Sequence, residues 1–165
     1  ASRVPMTATD RGQRAYTVGQ LELLPQSENV FLIFKDGWHD AEVAKDNPAV
    51  EWQWTKRAGT IAFRNPRRDV TFFLHVDGRP DLQAVSPQPI TVSVGGQVVD
   101  TFSLASQEAV VRKIPIAAAQ LGAADTVTIT VDAGASFVPA RTPAAGSADP
   151  RELGIRVFHA FVEPK

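Results

Sequence analysis

The chain contains no cysteine, so disulfides, thiolate metal sites and cysteine nucleophiles are all excluded. That absence fits a reducing cytosol, and equally an envelope protein that does without disulfides, so it leaves the compartment open. No apolar run approaches the ~20 residues that a membrane helix needs, and no secretory signal is visible. The chain opens at Ala1 rather than Met, as a processed or excised chain would, with any membrane segment lying upstream. Charge of one sign is also lacking. Seventeen Lys and Arg face 18 Asp and Glu, for a net charge of −1, and nothing electrostatic points to nucleic acid or to an acidic membrane surface. The basic residues that do gather, Arg64, Arg67 and Arg68, flank Pro66 and read as a solvated turn. There is no Gly-rich phosphate cradle before a helix and no Gly-x-Ser-x-Gly elbow. The serines lack a histidine and an acid at meaningful spacing, so the residues do not suggest an enzyme.

What is present is a pattern of short apolar alternations cut by turn residues. The 165 residues suit one domain with a real core, and the hydrophobic and charged fractions, 44% and 21%, are ordinary for a globular chain. Residues 1–20 are polar and form a lead-in to a single domain over 21–165. Leu21-Glu22-Leu23-Leu24 reads as a short first strand stopped by Pro25. Asn29-Val30-Phe31-Leu32-Ile33-Phe34 is a continuous apolar run, which predicts a strand covered on both faces. Thr60-Ile61-Ala62-Phe63-Arg64 alternates, and a hairpin through Lys56-Arg57-Ala58-Gly59 would pair it with the strand that carries Trp52 and Trp54. Val70, Phe72, Leu74 and Val76 share one face, with Thr71, Phe73 and His75 on the other. Ile90-Thr91-Val92-Ser93-Val94 turns back through Gly95-Gly96, where both positions tolerate positive φ. Asp100 interrupts the returning strand and marks a bulge or a strand end. Val110-Val111-Arg112-Lys113-Ile114 is a further strand, and residues 115–121 predict a short helix opened by Pro115 and stopped by Gly122. Thr126-Val127-Thr128-Ile129-Thr130-Val131-Asp132 alternates cleanly, and residues 153–162 form the last strand. Eight to ten short strands with almost no helix predict an all-β fold, an antiparallel two-sheet sandwich of jelly-roll-like form with one short helix. Phe72, Leu74, Val92, Val127, Ile129, Val131, Ile155 and Val157 should line its core.

The chemistry concentrates in one stretch. All three tryptophans lie in Gly37-Trp38-His39-Asp40-Ala41-Glu42 and Glu51-Trp52-Gln53-Trp54-Thr55. Asp36, Asp40, Glu42, Asp46 and Glu51 would supply the two acids of a glycosidase, yet acids on a turn are ordinarily just solvated. His39 with Asp40 and Glu42 is too sparse for zinc, and His75 and His159 sit on separate strands, so no metal set is predicted. No cofactor is expected. Calcium stays open, because many sandwich modules hold one between loops, although no spaced Asp/Asn loop argues for it. A sugar presents flat C–H faces that stack on indole and hydroxyls that want carboxylates, amides and imidazoles. Trp38, His39, Asp40, Glu42 and Gln53 supply that mixture and are the candidate ligand-binding residues. The plainer reading makes the tryptophans core residues. It suits Trp52 and Trp54, which alternate on a strand, better than Trp38, which follows Gly37 in a turn. A ring so placed would be half exposed, and its truncation would leave the fold intact.

Gly37-Trp38-His39 with Glu42, then Trp52-Gln53-Trp54-Thr55, resembles the opening of a β-sandwich module of bacterial envelope glycan proteins. Residues 90–104 with Gly95-Gly96 at their centre are similar to that family's strand–turn–strand segment. Phe137-Val138-Pro139-Ala140 and Ser147-Ala148-Asp149-Pro150-Arg151-Glu152-Leu153-Gly154 resemble its closing pattern. The resemblance covers residues 30–163, departs where Gly95-Gly96 replaces a more usual Asn-Gly, and leaves the stretch before residue 30 unmatched. It implies a carbohydrate-binding-like accessory module without catalysis, attached to a membrane glycosyltransferase or a related surface-polysaccharide protein. Its partners would be a glycan or the parent glycosyltransferase domain, with no nucleic acid. It would face the outside of the cytoplasmic membrane and reach that membrane only through an upstream segment. A sandwich that packs on its parent enzyme with no ligand of its own is the alternative. Asp149 and Arg151 read as structural: Asp before Pro starts a turn, and Arg151 can pair with Asp149 or Glu42.

Overall fold

In a computed structural model of the chain, residues 30–165 are described. The polar lead-in and the expected strand at residues 21–24 lie outside them. Ten strands follow in order: β1 (Ile33–Phe34), β2 (Glu42–Val43), β3 (Glu51–Trp54), β4 (Ala58–Arg64), β5 (Val70–Asp77), β6 (Gln88–Val94), β7 (Gln97–Leu104), β8 (Val110–Ile116), β9 (Thr126–Asp132) and β10 (Arg156–Pro164). One turn of helix, α1 (Ala118–Leu121), precedes β9. The strands form two five-stranded antiparallel sheets, β1-β4-β9-β6-β7 and β2-β3-β10-β5-β8. Successive strands cross repeatedly between them, which makes the sandwich jelly-roll-like.

The inward residues of both sheets meet in one core. All eight expected core residues are there, each 2% exposed or less. Period-2 alternation is the cause. On β9, Val127, Ile129 and Val131 turn in, while Thr126 and Thr128 turn out to solvent. At the β6–β7 turn, Gly95 and Gly96 take φ of 56° and 82°, as a tight hairpin of this hand requires. The register slips between Val92 and Ser93, so Asp100 does mark a bulge. Its carboxylate receives a two-pronged contact from Arg112 of β8, at 2.9 and 2.8 Å, which ties the edges of the two sheets together.

Three expectations need correction. β3 and β4 do not form a hairpin: β3 pairs with β2 and β10, and β4 with β1 and β9. Thr55 explains why. Its N–H donates to the Ile155 carbonyl, its carbonyl accepts from Gly154, and its hydroxyl accepts from the Ile155 N–H. The chain is thereby held in the second sheet as far as Thr55 and crosses to the first over residues 56–57. The described part of the run 29–34, residues 30–34, is not covered on both faces either. Only Ile33–Phe34 pairs, at a sheet edge, and Phe31 and Ile33 are 50% and 56% exposed while Val30 and Leu32 are buried. Finally, Pro115 and Ile116 belong to β8, so the helix begins only at Ala118.

Candidate functional site

Three stretches distant in sequence converge at one end of the sandwich: residues 36–42, residues 51–55 and residues 149–154. Gly37, at φ 80°, lets the chain turn, and a Cβ there would meet the Ala58 carbonyl. Trp38 then bridges to Thr55, and the His39 N–H donates to the Trp54 carbonyl at 2.9 Å. On the far side, the His39 ring Nε2 donates to the Glu152 carbonyl at 2.6 Å. Arg151 reaches Glu42 Oε2 with Nη1 at 3.0 Å and grips Asp149 through Nε and Nη2. Hydrogen bonds from Arg151 hold the Asp149 carboxyl below its ordinary range, and the same contacts raise the guanidinium.

A shallow cleft of about 280 Å³ opens among these residues, lined by Phe34, Lys35, Trp38, His39, Asp40 and Gln53. Four of the five candidate ligand residues therefore share it. The fifth, Glu42, is drawn aside into the Arg151–Asp149 cluster. Asp40 is exposed. Gln53 points inward and is 3% exposed. Its Nε2 donates to the His39 carbonyl at 2.9 Å, while its Oε1 is buried with no hydrogen-bond partner among the described residues. An orphaned buried amide oxygen is costly unless a water satisfies it.

Trp38 is more firmly built into the fold than its turn position suggests. Its indole N–H donates to the Thr60 carbonyl at 2.8 Å. Its ring lies 4.6 Å from Phe34 and so close over Gly59 that a Cβ there would come within 2.7 Å of it. Part of its area packs against the core, which argues against a ring dispensable to stability.

Trp52 and Trp54 share a face, but it is the outward one, where they are half-buried rather than in the core. The guanidinium of Arg156 lies over both rings, at 4.6 and 5.8 Å, and 4.9 Å from Phe158. Phe137 meets Trp54 edge-on. Arg156 is itself fixed by two bonds to Asp77, at 2.9 and 2.8 Å. Beyond Phe158 the row continues through stacked His75 and His159 to stacked Phe73 and Phe161. A bulge in β10 between Val157 and His159 allows this, because it leaves Phe158 and His159 both off the core. Sequence reasoning missed Phe34, Lys35, Arg156 and Asp77. The alternation of Arg156 with Phe158 was a usable signal once β10 is set beside β3. Asp36 and Asp46 are exposed on turns. Among the described residues no group of three or more His, Asp or Glu gathers as a metal site, and no helix is long and apolar enough to cross a membrane.

No protein-family model matches the chain, and no curated protein is similar to it in sequence. Several solved structures are similar in shape. A family 36 carbohydrate-binding module in complex with calcium and xylotriose shares 11% identity, with a TM-score of 0.40, over 81% of this chain and 98% of the module. A family 35 carbohydrate-binding module from Clostridium thermocellum shares 10% identity, with a TM-score of 0.42, over 81% and 98%. BtGH115A, a family GH115 4-O-methyl-α-glucuronidase with specificity for decorated arabinogalactans, shares 12% identity with a TM-score of 0.48. There the match takes in 80% of this chain but spans only 16% of the glucuronidase. These are resemblances in shape, at identities too low to transfer a ligand.

Proposed function

We propose that this chain is a non-catalytic carbohydrate-binding module that uses the cleft between Trp38, His39, Asp40 and Gln53. The observation that carries the reading is that Trp38, His39, Asp40 and Gln53 line one cleft, where the exposed Asp40 carboxylate stands beside an indole. Asp40 would accept from a sugar hydroxyl, and the Trp38 ring would cover a C–H face. At about 280 Å³ the cleft is open and small, below the ~300–1,000 Å³ of enclosed ligand pockets, which suits one sugar residue of a longer chain. The finer part of the proposal is that the module serves a bacterial envelope glycosyltransferase or polysaccharide-processing protein outside the cytoplasmic membrane. Its support is that three of the resembling motifs, Gly37-Trp38-His39, Trp52-Gln53-Trp54-Thr55 and the Asp149-Pro150-Arg151-Glu152 part of the closing pattern, converge on this one end of the fold.

A glycan array tests the reading. Saturable binding is expected, weakened about fivefold by Asp40→Ala, as loss of one hydrogen bond of ~1 kcal/mol implies, with unchanged melting. Silence across the array rejects it. A second reading, a sandwich that packs on its parent enzyme without a ligand, is favoured by the way Trp38 is spent on Thr60, Phe34 and Gly59. Silence across the array would move the choice in that direction, whereas binding unaffected by Asp40→Ala would put the sugar at another site.

A further inference from the structure

β3 has a cleft on each side. Gln53 lines the first, and Trp54, next along the strand, lines a second of about 240 Å³ with Asp77, Gly78, Arg79, Gln107 and Arg156. Two bidentate ion pairs frame it. Arg156 gives Nε and Nη2 to Asp77 at 2.9 and 2.8 Å, and Arg79 gives Nε and Nη2 to Asp81 at 3.0 and 2.8 Å. The two guanidinium charges cancel the two carboxylates, so no net charge draws an anion. Each guanidinium still has donors to spare beyond the two bonds it makes, and each carboxylate has acceptor sites to spare. Donors and acceptors thus stand side by side at neutral total charge. A hydroxyl, which donates and accepts at once, uses both.

The Arg156–Asp77 half of the frame is also closely packed. Asp77 is 8% exposed, and Arg156 is clamped between that carboxylate and the Trp52 ring 4.6 Å away. Little side-chain freedom is left to lose on binding. Trp54 adds an apolar wall, and Gln107, exposed on the loop after β7, adds an amide that can donate and accept.

We propose that this second cleft is a subsite for an uncharged, polyhydroxylated ligand, a neutral sugar residue, so that the module makes glycan contacts on both sides of β3. The ligand class rests on the carbohydrate reading of the first cleft; the site itself does not.

The test is a titration of the intact chain, isotope-labelled for NMR, with xylotriose, cellotriose and mannotriose in turn, and with trigalacturonate as the acidic comparison. Two sets of signals are followed: Gly78, Gln107 and the Trp54 indole N–H for the second cleft, and His39, Asp40 and the Gln53 side-chain amide for the first. Saturable shifts of both sets with a neutral trisaccharide are expected. Arg79→Ala and Gln107→Ala should each weaken the response of the second set about fivefold and leave the first set unmoved. If only the first set responds, the second subsite is refuted and the carbohydrate reading stands. If only the second set responds, the subsite stands and the first cleft loses its role. Response of the second set to trigalacturonate alone overturns the neutral class, and silence of both sets refutes both proposals.

Discussion

The outward faces of the two sheets are clothed differently. On the β1-β4-β9-β6-β7 sheet, β9 shows threonines, with Thr126 and Thr128 exposed. On the β2-β3-β10-β5-β8 sheet, Trp52, Trp54, Phe158, His75, His159, Phe73 and Phe161 run side by side, the first three under Arg156. An antiparallel sheet can face water on one side, and the threonine face is that ordinary solution. The aromatic face is a third layer, in which large rings cover one another outside the sandwich. The stability of this protein is therefore held in two places, an inner core shared by both sheets and an outer layer on one of them.

The largest effect expected from breaking that comparison lies in the shared core. Ile129→Ala should cost about 2–5 kcal/mol in chemical denaturation, because Ile129 is fully buried. Its neighbour Thr128, on the solvated face, should tolerate alanine within about 0.5 kcal/mol. Equal costs would mean that β9 does not divide the core from solvent.

Next in size is Trp38→Ala, at about 2–4 kcal/mol, from lost packing against Phe34 and the core together with the lost bond to the Thr60 carbonyl. Thermal melting of Trp38→Ala beside Trp54→Ala sharpens the contrast between an inner ring and an outer one. Trp54 should cost less than a core tryptophan, since one side of its ring belongs to the outer layer. A Trp38 variant that melts like wild type would return that ring to a purely binding role.

What the sequence made legible follows from periodicity. Alternation identified every strand face on β5, β6 and β9, and its break at Asp100 signalled a bulge or a strand end, of which the structure shows the bulge. It was silent about which sheet each strand joins, because pairing depends on contacts far along the chain. Thr55 is bound to Gly154 and Ile155, and nothing local to 52–64 reveals that. The same limit hid the outward direction of Trp52 and Trp54: a strand with rings two apart has an aromatic face, but which side it turns depends on Arg156 and Asp77. The end of the sandwich was legible in part. Trp38, His39, Asp40 and Gln53 meet in one cleft as a cluster in sequence should, whereas Glu42 is captured by Arg151, 109 residues away.

Arg156→Ala probes the outer layer directly. It leaves Asp77 buried and unpaired and uncovers two indole rings. The expected loss is about 2–3 kcal/mol, below the ~3–5 kcal/mol of a fully buried pair because the Arg156 side chain is 29% exposed. Arg156→Lys keeps the charge but neither the fork nor the planar stack, so it should recover only part of the loss. Full recovery would reduce the outer layer to a simple charge pair.

The smallest effect concerns the Asp149–Arg151 pair at the cleft end, and it is best read against pH. Bonds from Arg151 depress the Asp149 carboxyl in the folded protein, while the unfolded chain keeps the ordinary value near ~3.9. A depressed carboxyl contributes stability that is fully present above the unfolded value and is lost as pH falls through the folded one. Asp149→Asn removes the titrating group yet keeps an Oδ1 that can still accept from the Arg151 N–H, as Asp149 does at 3.0 Å. The stability difference between wild type and Asp149→Asn should then be constant from pH 7 down to about 4 and shrink below that. Its plateau should stay within about 1 kcal/mol, because the side chains are 32% and 26% exposed and solvent screens them. Urea denaturation at intervals between about pH 2 and 7 measures it, against the ordinary carboxyl value as reference. A difference that does not change with pH would show that the charge adds nothing, and that Asp149 serves the turn before the last strand through its backbone bond alone.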